Sequence, residues 1–380
     1  MPEDVISLAE APAADPDAAA LLARDLGPGP FALVVVFVSP EAPDRPALVA
    51  ALSRALAPAP VIGCTTAGEI GARGYAEGQI VAVGFPARHF AAETLLVPDL
   101  LALDAQGVVG ELIRARGALA RAHPGLDSEF VFLLVDGLSG KEDDLASVLA
   151  PGLGGAELFG GSAADGARFL ETFVFHDGRS LRNAAVLAIL RSDCPVRVFK
   201  FDHFRPTETR MVVTRANPAR RSVQTINAEP AALEYARILG KDPDQLTPFT
   251  FAAHPVVVRV GGRYHVRSIR QVDENGDLIF FSAIDEGLVL TLADALDMAD
   301  HLAESLDGLA QGGAAPRAIL ACDCVLRRME AQEKQLGGRV SALMAAHRVT
   351  GFSTYGEQLN AMHVNQTLTG VAIYAPAVRP

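Results

Sequence analysis

Three stretches of this 380-residue chain repeat one plan. Each has an apolar strand, a helix with apolar periodicity, a glycine- and hydroxyl-rich segment, and another apolar strand. In the first these span residues 31–38, 46–56, 62–69 and 79–85. In the second they are 129–135, a helix over 142–149, and 159–166, with two further strands at 169–175 and 184–190. In the third they are 318–322, a helix over 326–347 weakened at Gly337-Gly338, 350–357, and 367–374. Such a unit cannot bury its own apolar face, so it packs against its copies. Strand–helix–strand order also predicts parallel neighbours in each sheet.

Aligned on the first glycine, the three glycine-rich segments read GCTTAGE from Gly63, GGSAADG from Gly160 and GFSTYGE from Gly351. Each carries a hydroxyl at its third position and a glycine plus an acid in its last two. Read as loops, their glycines permit positive φ or the close approach of another group. Their hydroxyls and free N–H groups then point into a shared cleft. On this reading Gly63, Thr65, Thr66, Glu69, Gly161, Ser162, Ser353, Thr354, Tyr355 and Glu357 are candidate ligand-binding residues, joined by Asn365 and Thr367 just downstream. The competing reading is three tight turns whose hydroxyls satisfy their own backbone.

The middle of the chain differs. Strands are predicted at 196–201, 210–214, 256–260, 264–270 and 278–284, with hairpin turns at Gly261-Gly262 and Asn275-Gly276. A helix opens after Asn227-Ala228-Glu229-Pro230 and is closed by Gly240, and another is predicted over 288–306. The expected fold class is α/β (mixed α+β): two domains, 1–219 and 220–380, with mixed sheets flanked by helices and built partly from repeated β-α-loop-β units.

Composition narrows function. The net charge of −12 and the scattered basic residues argue against nucleic acid and anionic membrane surfaces. The longest apolar run near the N-terminus, 31–38, is too short to span a bilayer, and residues 3–25 lack a basic leader region, so a soluble cytoplasmic protein is expected. Four cysteines, Cys64, Cys194, Cys322 and Cys324, make no disulfide framework, and buried reduced thiols are expected. Cys64 is the best candidate nucleophile. Phe352 and Gly161 take its place in the other repeats, which points to packing rather than chemistry, so no enzymatic activity is expected.

The chain resembles the FIST family of sensory proteins. The stretches that carry the resemblance are 61–70 (VIGCTTAGEI), 158–165 (LFGGSAAD), 254–270 with its His-Pro start, Asp285-Glu286-Gly287, the step from Cys324 to Arg327, and 351–369 with GFSTYGEQ and HVNQTLT. The resemblance implies N-terminal and C-terminal FIST domains and a binding module for small ligands such as amino acids. It also implies a stand-alone protein that signals through a partner, a sensor histidine kinase. Residues 204–207 (FRPT), 229–240 (EPAALEYARILG) and 355–366 resemble the branch that binds haem b and senses nitric oxide.

For haem, a neutral imidazole must project into an apolar slot. His176 follows the apolar Phe173-Val174-Phe175, and Arg179 and Arg182 are placed to meet propionates. His363, in the polar stretch after the third glycine segment, is the second candidate iron ligand. Arg267 and Arg270 are read as one strand's residues pointing to opposite faces, with a ligand carboxylate or Glu286 as partner to the inward one.

Overall fold

The computed structural model describes residues 4–260 and 262–376, so Gly261 of the expected Gly261-Gly262 turn lies outside the described residues. The three repeats form three six-stranded sheets with one shared strand order. The central strands are Phe31–Val38, Ser128–Val135 and Ala318–Cys324. Each runs parallel to its glycine-bearing strand, Val61–Thr65, Glu157–Ser162 or Val349–Thr354. On its other side each is antiparallel to a closing strand, Gln79–Pro86, Ala185–Ser192 or Leu368–Ile373. Beyond the closing strands lie the edge strands Ser7–Pro12, Phe90–Val97 and Val196–Phe201.

The sixth position is filled by exchange. The hairpin Glu69–Gly71/Gly74–Ala76 of the first unit pairs with the third unit's Val349–Thr354. The third unit's hairpin, Glu357–Leu359/Met362–Val364, pairs with the second unit's Glu157–Ser162. The second unit's hairpin, Val174–His176/Arg179–Leu181, returns to the first unit's Val61–Thr65. The exchange closes on itself, giving a core with approximate threefold symmetry.

Period-2 alternation along the central strands sorts the two faces. Val34, Val36 and Val38 face outward onto Leu22, Val49 and Leu52 of the helices Ala18–Leu26 and Arg45–Ala55. Leu33, Val35 and Phe37 face inward, in one cluster with Phe132, Leu134, Leu320 and Cys322. The other two sheets are covered in the same way, by Leu112 and Leu149 in the second unit and by Leu302 and Met344 in the third.

Between the third unit's edge strand and its first helix, Met298–Asp307, residues 204–295 form a separate eight-stranded sheet with its own core around Met211, Tyr235, Phe251 and Phe280. The expected helix over 288–306 is therefore half strand. Val289–Ala295 pairs with the long strand Phe204–Asn217, and the helix begins only at Met298, capped by Asp297 accepting from the Asp300 N–H. The alternating Val-Leu-Thr-Leu sequence satisfies a strand as well as a helix face, and the available edge decides. Likewise the expected strand over 169–175 shrinks to Val174–His176, because 169–171 wrap around a buried carboxylate described below.

Candidate functional site

The segments read as glycine loops are strands that end in short connections. A Cβ at Gly63, Gly160 or Gly351 would lie 2.0, 2.2 or 1.8 Å from the carbonyl oxygen of Val36, Leu133 or Ala321 on the parallel neighbour. These glycines occupy equivalent places and serve close strand approach. Gly161 makes room at the centre: a Cβ there would lie 2.8 Å from Phe352 Cζ, and Phe352 stacks on Phe37 at 4.6 Å between centroids. Cys64, in the equivalent position, is fully buried, and burial pushes its thiol up well above the ordinary range.

The ends of the three strands meet at the approximate threefold axis and bond to one another. Ala67 N donates to Ser353 O at 2.8 Å, Ser162 N to Gly356 O at 2.8 Å, and Ala164 N to Thr65 O at 2.9 Å. The hydroxyls are committed as well. Thr65 Oγ1 accepts from Phe173 N at 3.1 Å, Ser162 Oγ accepts from Gln358 Nε2 at 3.0 Å, and Ser353 Oγ lies 3.5 Å from Arg328 Nη1. Thr66 donates to Glu69 at 2.5 Å, and the second Glu69 oxygen accepts from Gln79 N at 3.1 Å. Thr354 donates to Glu357, whose other oxygen accepts from Thr367 N at 3.2 Å and Thr367 Oγ1 at 2.6 Å. Each glutamate thus ties the end of a glycine strand to the start of the closing strand. Burial pushes Glu69 up to about 7 and Glu357 up to about 8, the hydroxyl contacts only partly offsetting it. The set meets, but as a mutually satisfied structural centre.

Among these candidates only Tyr355 reaches a large cleft. Its hydroxyl donates to Asp165, whose carboxylate also accepts from the N–H groups of Phe169, Leu170 and Glu171 at 2.9, 2.9 and 3.0 Å. This turns the Phe169 ring, at positive φ, onto Tyr355 with centroids 4.4 Å apart. Above that pair opens a cleft of about 620 Å³ between the threefold core and the inserted sheet. The core contributes residues 137–141, Asp143 and Asp144, and the inserted sheet contributes Arg221, Arg270 and Phe281.

The charges in the cleft are unequally compensated. Arg221 pairs with Glu142 at 2.7 Å and Asp143 at 3.1 Å, and Lys141 pairs with Asp144 at 2.9 Å. Arg270 lies 5.9 Å from the Phe169 ring centroid, and its buried Nε has no hydrogen-bond partner. Burial first, and then repulsion from Arg221, lowers its pKa, so the site favours an added anion. Sequence reasoning paired Arg270 with Arg267 on one strand. The structure instead puts them on separate strands, Arg263–Arg267 and Ile269–Val272, because Ser268 breaks away to bond Gln366 at 3.0 Å. Phe169 and Arg221 carry no signal in the sequence, since a loop contact and a turn bring them there.

Arg267, Asn365 and His363 lie in the seam between core and inserted sheet. Arg267 Nη1 donates to His363 O at 3.0 Å, and Asn365 accepts from Ser282. Glu286, the acid considered for whichever of Arg267 and Arg270 faces inward, instead accepts from Ala216 N at 3.3 Å. His363 is fully buried, with Gln358 Nε2 3.1 Å from Nδ1 and Asn365 Nδ2 3.4 Å from Nε2, and burial holds it down at about 4. Gly356 presses on its ring, where a Cβ would come 2.4 Å from Cε1. His176 has Nε2 3.1 Å from Thr94 Oγ1 and Nδ1 3.6 Å from Asp177. Neither histidine lines the cleft, and no His, Cys or Met does. Tyr355, the remaining axial donor type among the described lining residues, has its hydroxyl held by Asp165, so the residues of this cleft do not fit haem, which needs an axial donor projecting into its slot.

A FIST N domain model matches residues 32–229, more than half of the chain, and a FIST C domain model matches residues 231–360. The two matches meet inside the inserted sheet, between the strand Ser222–Ile226 and the helix Ala231–Leu239. No curated protein matches the chain.

Proposed function

The chain belongs to the FIST family, whose domains are associated with sensory signal transduction and small-ligand binding, and we propose that it senses a small carboxylate ligand in the cleft beside Arg270. The observation that carries this reading is the Arg270 guanidinium, its buried Nε without a hydrogen-bond partner, near Phe169 at the foot of a 620 Å³ cleft. A carboxylate there gains charge-assisted hydrogen bonds from a group already half withdrawn from water. Asp143 and Asp144 line the same cleft, so an amino acid, carboxylate toward Arg270 and ammonium toward the acids, matches both signs of charge. The two hydroxyls of the lining are committed, Ser139 to Asp136 O at 2.7 Å and Tyr355 to Asp165, which supports binding rather than catalysis. Because the walls come from two separately cored parts of the chain, an occupied cleft favours one relation between them, and that difference is the signal. A partner protein reads it, by resemblance a sensor histidine kinase. No described helix is long and apolar enough to cross a membrane.

Calorimetry with a panel of amino acids and short carboxylates tests the reading. A binder is expected to lose about thirtyfold in affinity in Arg270→Ala, the equivalent of about 2 kcal/mol for a charged hydrogen bond. Unchanged affinity in that variant overturns the assignment. The haem and nitric oxide reading rests on the resemblance of 204–207, 229–240 and 355–366, and an absorption spectrum after haem reconstitution separates it. A stoichiometric Soret band lost in His176→Ala or His363→Ala would replace the carboxylate reading.

A further inference from the structure

Away from the cleft, two junctions between the repeated units come together. His89 lies between the first unit's closing strand, Gln79–Pro86, and the second unit's edge strand, Phe90–Val97. Asp193 and Cys194 lie at the next junction, between Ala185–Ser192 and Val196–Phe201. Their donor atoms all fall within 4.8 Å of one another. His89 Nδ1 is 3.1 and 3.4 Å from the two Asp193 carboxylate oxygens, and Cys194 Sγ is 3.6 Å from Asp193 Oδ1. A tetrahedral zinc ion with bonds of about 2.0–2.3 Å holds neighbouring donors roughly 3.3–3.8 Å apart. The observed spacing needs only small side-chain adjustments to match.

The backbone that carries these donors is pinned in advance. Ser192 Oγ donates to His89 O at 2.9 Å, Asp193 N donates to the same oxygen at 3.3 Å, and Cys194 N donates to Ser192 Oγ at 3.0 Å. Pinned turns reduce the ordering that an incoming ion must impose. A thiol with an imidazole and a carboxylate is a donor set for zinc rather than magnesium or calcium.

We propose that His89, Asp193 and Cys194 form a zinc site that clamps the junctions joining the three units, with the fourth position left to water. The ion displaces the Cys194 thiol proton to solvent and binds the sulfur as thiolate. The site is absent from the sequence reading because its donors come from positions separated by more than 100 residues.

The test uses the full chain, freed of metal by chelation and titrated with cobalt(II), then with zinc(II). One equivalent of cobalt is expected to give a thiolate-to-cobalt charge-transfer band, which zinc then abolishes while raising the melting temperature. Among the described residues no other cysteine belongs to a cluster of metal-ligating side chains, so Cys194→Ser should remove the band. His89→Gln, which keeps the thiol, should weaken cobalt binding by tenfold or more. Circular dichroism of the metal-free variants verifies that each folds. No band in the wild type, a band retained in Cys194→Ser, or unchanged affinity in His89→Gln would overturn the proposal.

Discussion

Glu69 and Glu357 give the core a pH dependence of unusual sign for carboxylates. Both are fully buried, and burial raises them from 4.5 to about 7 and about 8. The folded state therefore keeps these protons longer than the unfolded chain does. The stability from the neutral forms is fully present below about pH 4.5, and is lost as pH rises through about 7 for Glu69 and about 8 for Glu357. With a tenfold change in proton affinity equal to about 1.4 kcal/mol, the loss attached to Glu69 is about 3 kcal/mol and that to Glu357 about 5 kcal/mol. Glutamine reproduces the neutral acid. Its amide N–H faces the hydroxyl of Thr66 or Thr354, and its oxygen accepts from Gln79 or Thr367. Glu69→Gln is expected to match the wild type near pH 4 and exceed it by about 3 kcal/mol at pH 9. Urea denaturation at intervals across that range, with the wild-type curve subtracted, isolates this group from every other titration. Parallel wild-type and variant curves would refute the reasoning, as would a variant less stable at every pH.

Gly160→Ala places a methyl 2.2 Å from the Leu133 carbonyl oxygen, so the parallel strands must separate, and little folded protein is expected by circular dichroism. Phe352→Ala removes the ring that fills the centre against Phe37 and should cost about 3–5 kcal/mol in denaturant melts. Arg221→Ala leaves Glu142 buried without its cation, costing about 3 kcal/mol at pH 8. Glu142 already stands at about 6, chiefly through burial, and rises further without Arg221, so the loss should be smaller at pH 5, as comparison of the two pH values will establish.

The amino-acid sequence by itself determined the three units. A strand such as Phe31–Val38 is apolar on both faces because helices cover one and the core fills the other, and that demand is written locally. The equivalence of Gly63, Gly160 and Gly351 is legible too, since only a missing side chain tolerates a neighbouring backbone so near. What the glycine segments do was not legible. A hydroxyl beside an acid reads alike whether it faces a ligand or closes on Glu69, and the exchange of hairpins between units, which closes the ring, depends on strand edges far apart in sequence. The cleft was hidden for the same reason. Residues 204–295 fold as a separate sheet against the core, and only that packing sets Arg270 near Phe169 without a hydrogen-bond partner for its Nε. Local chemistry fixes strands and faces, whereas a binding site is a set of groups left unsatisfied after every element has packed, and that remainder exists only in three dimensions.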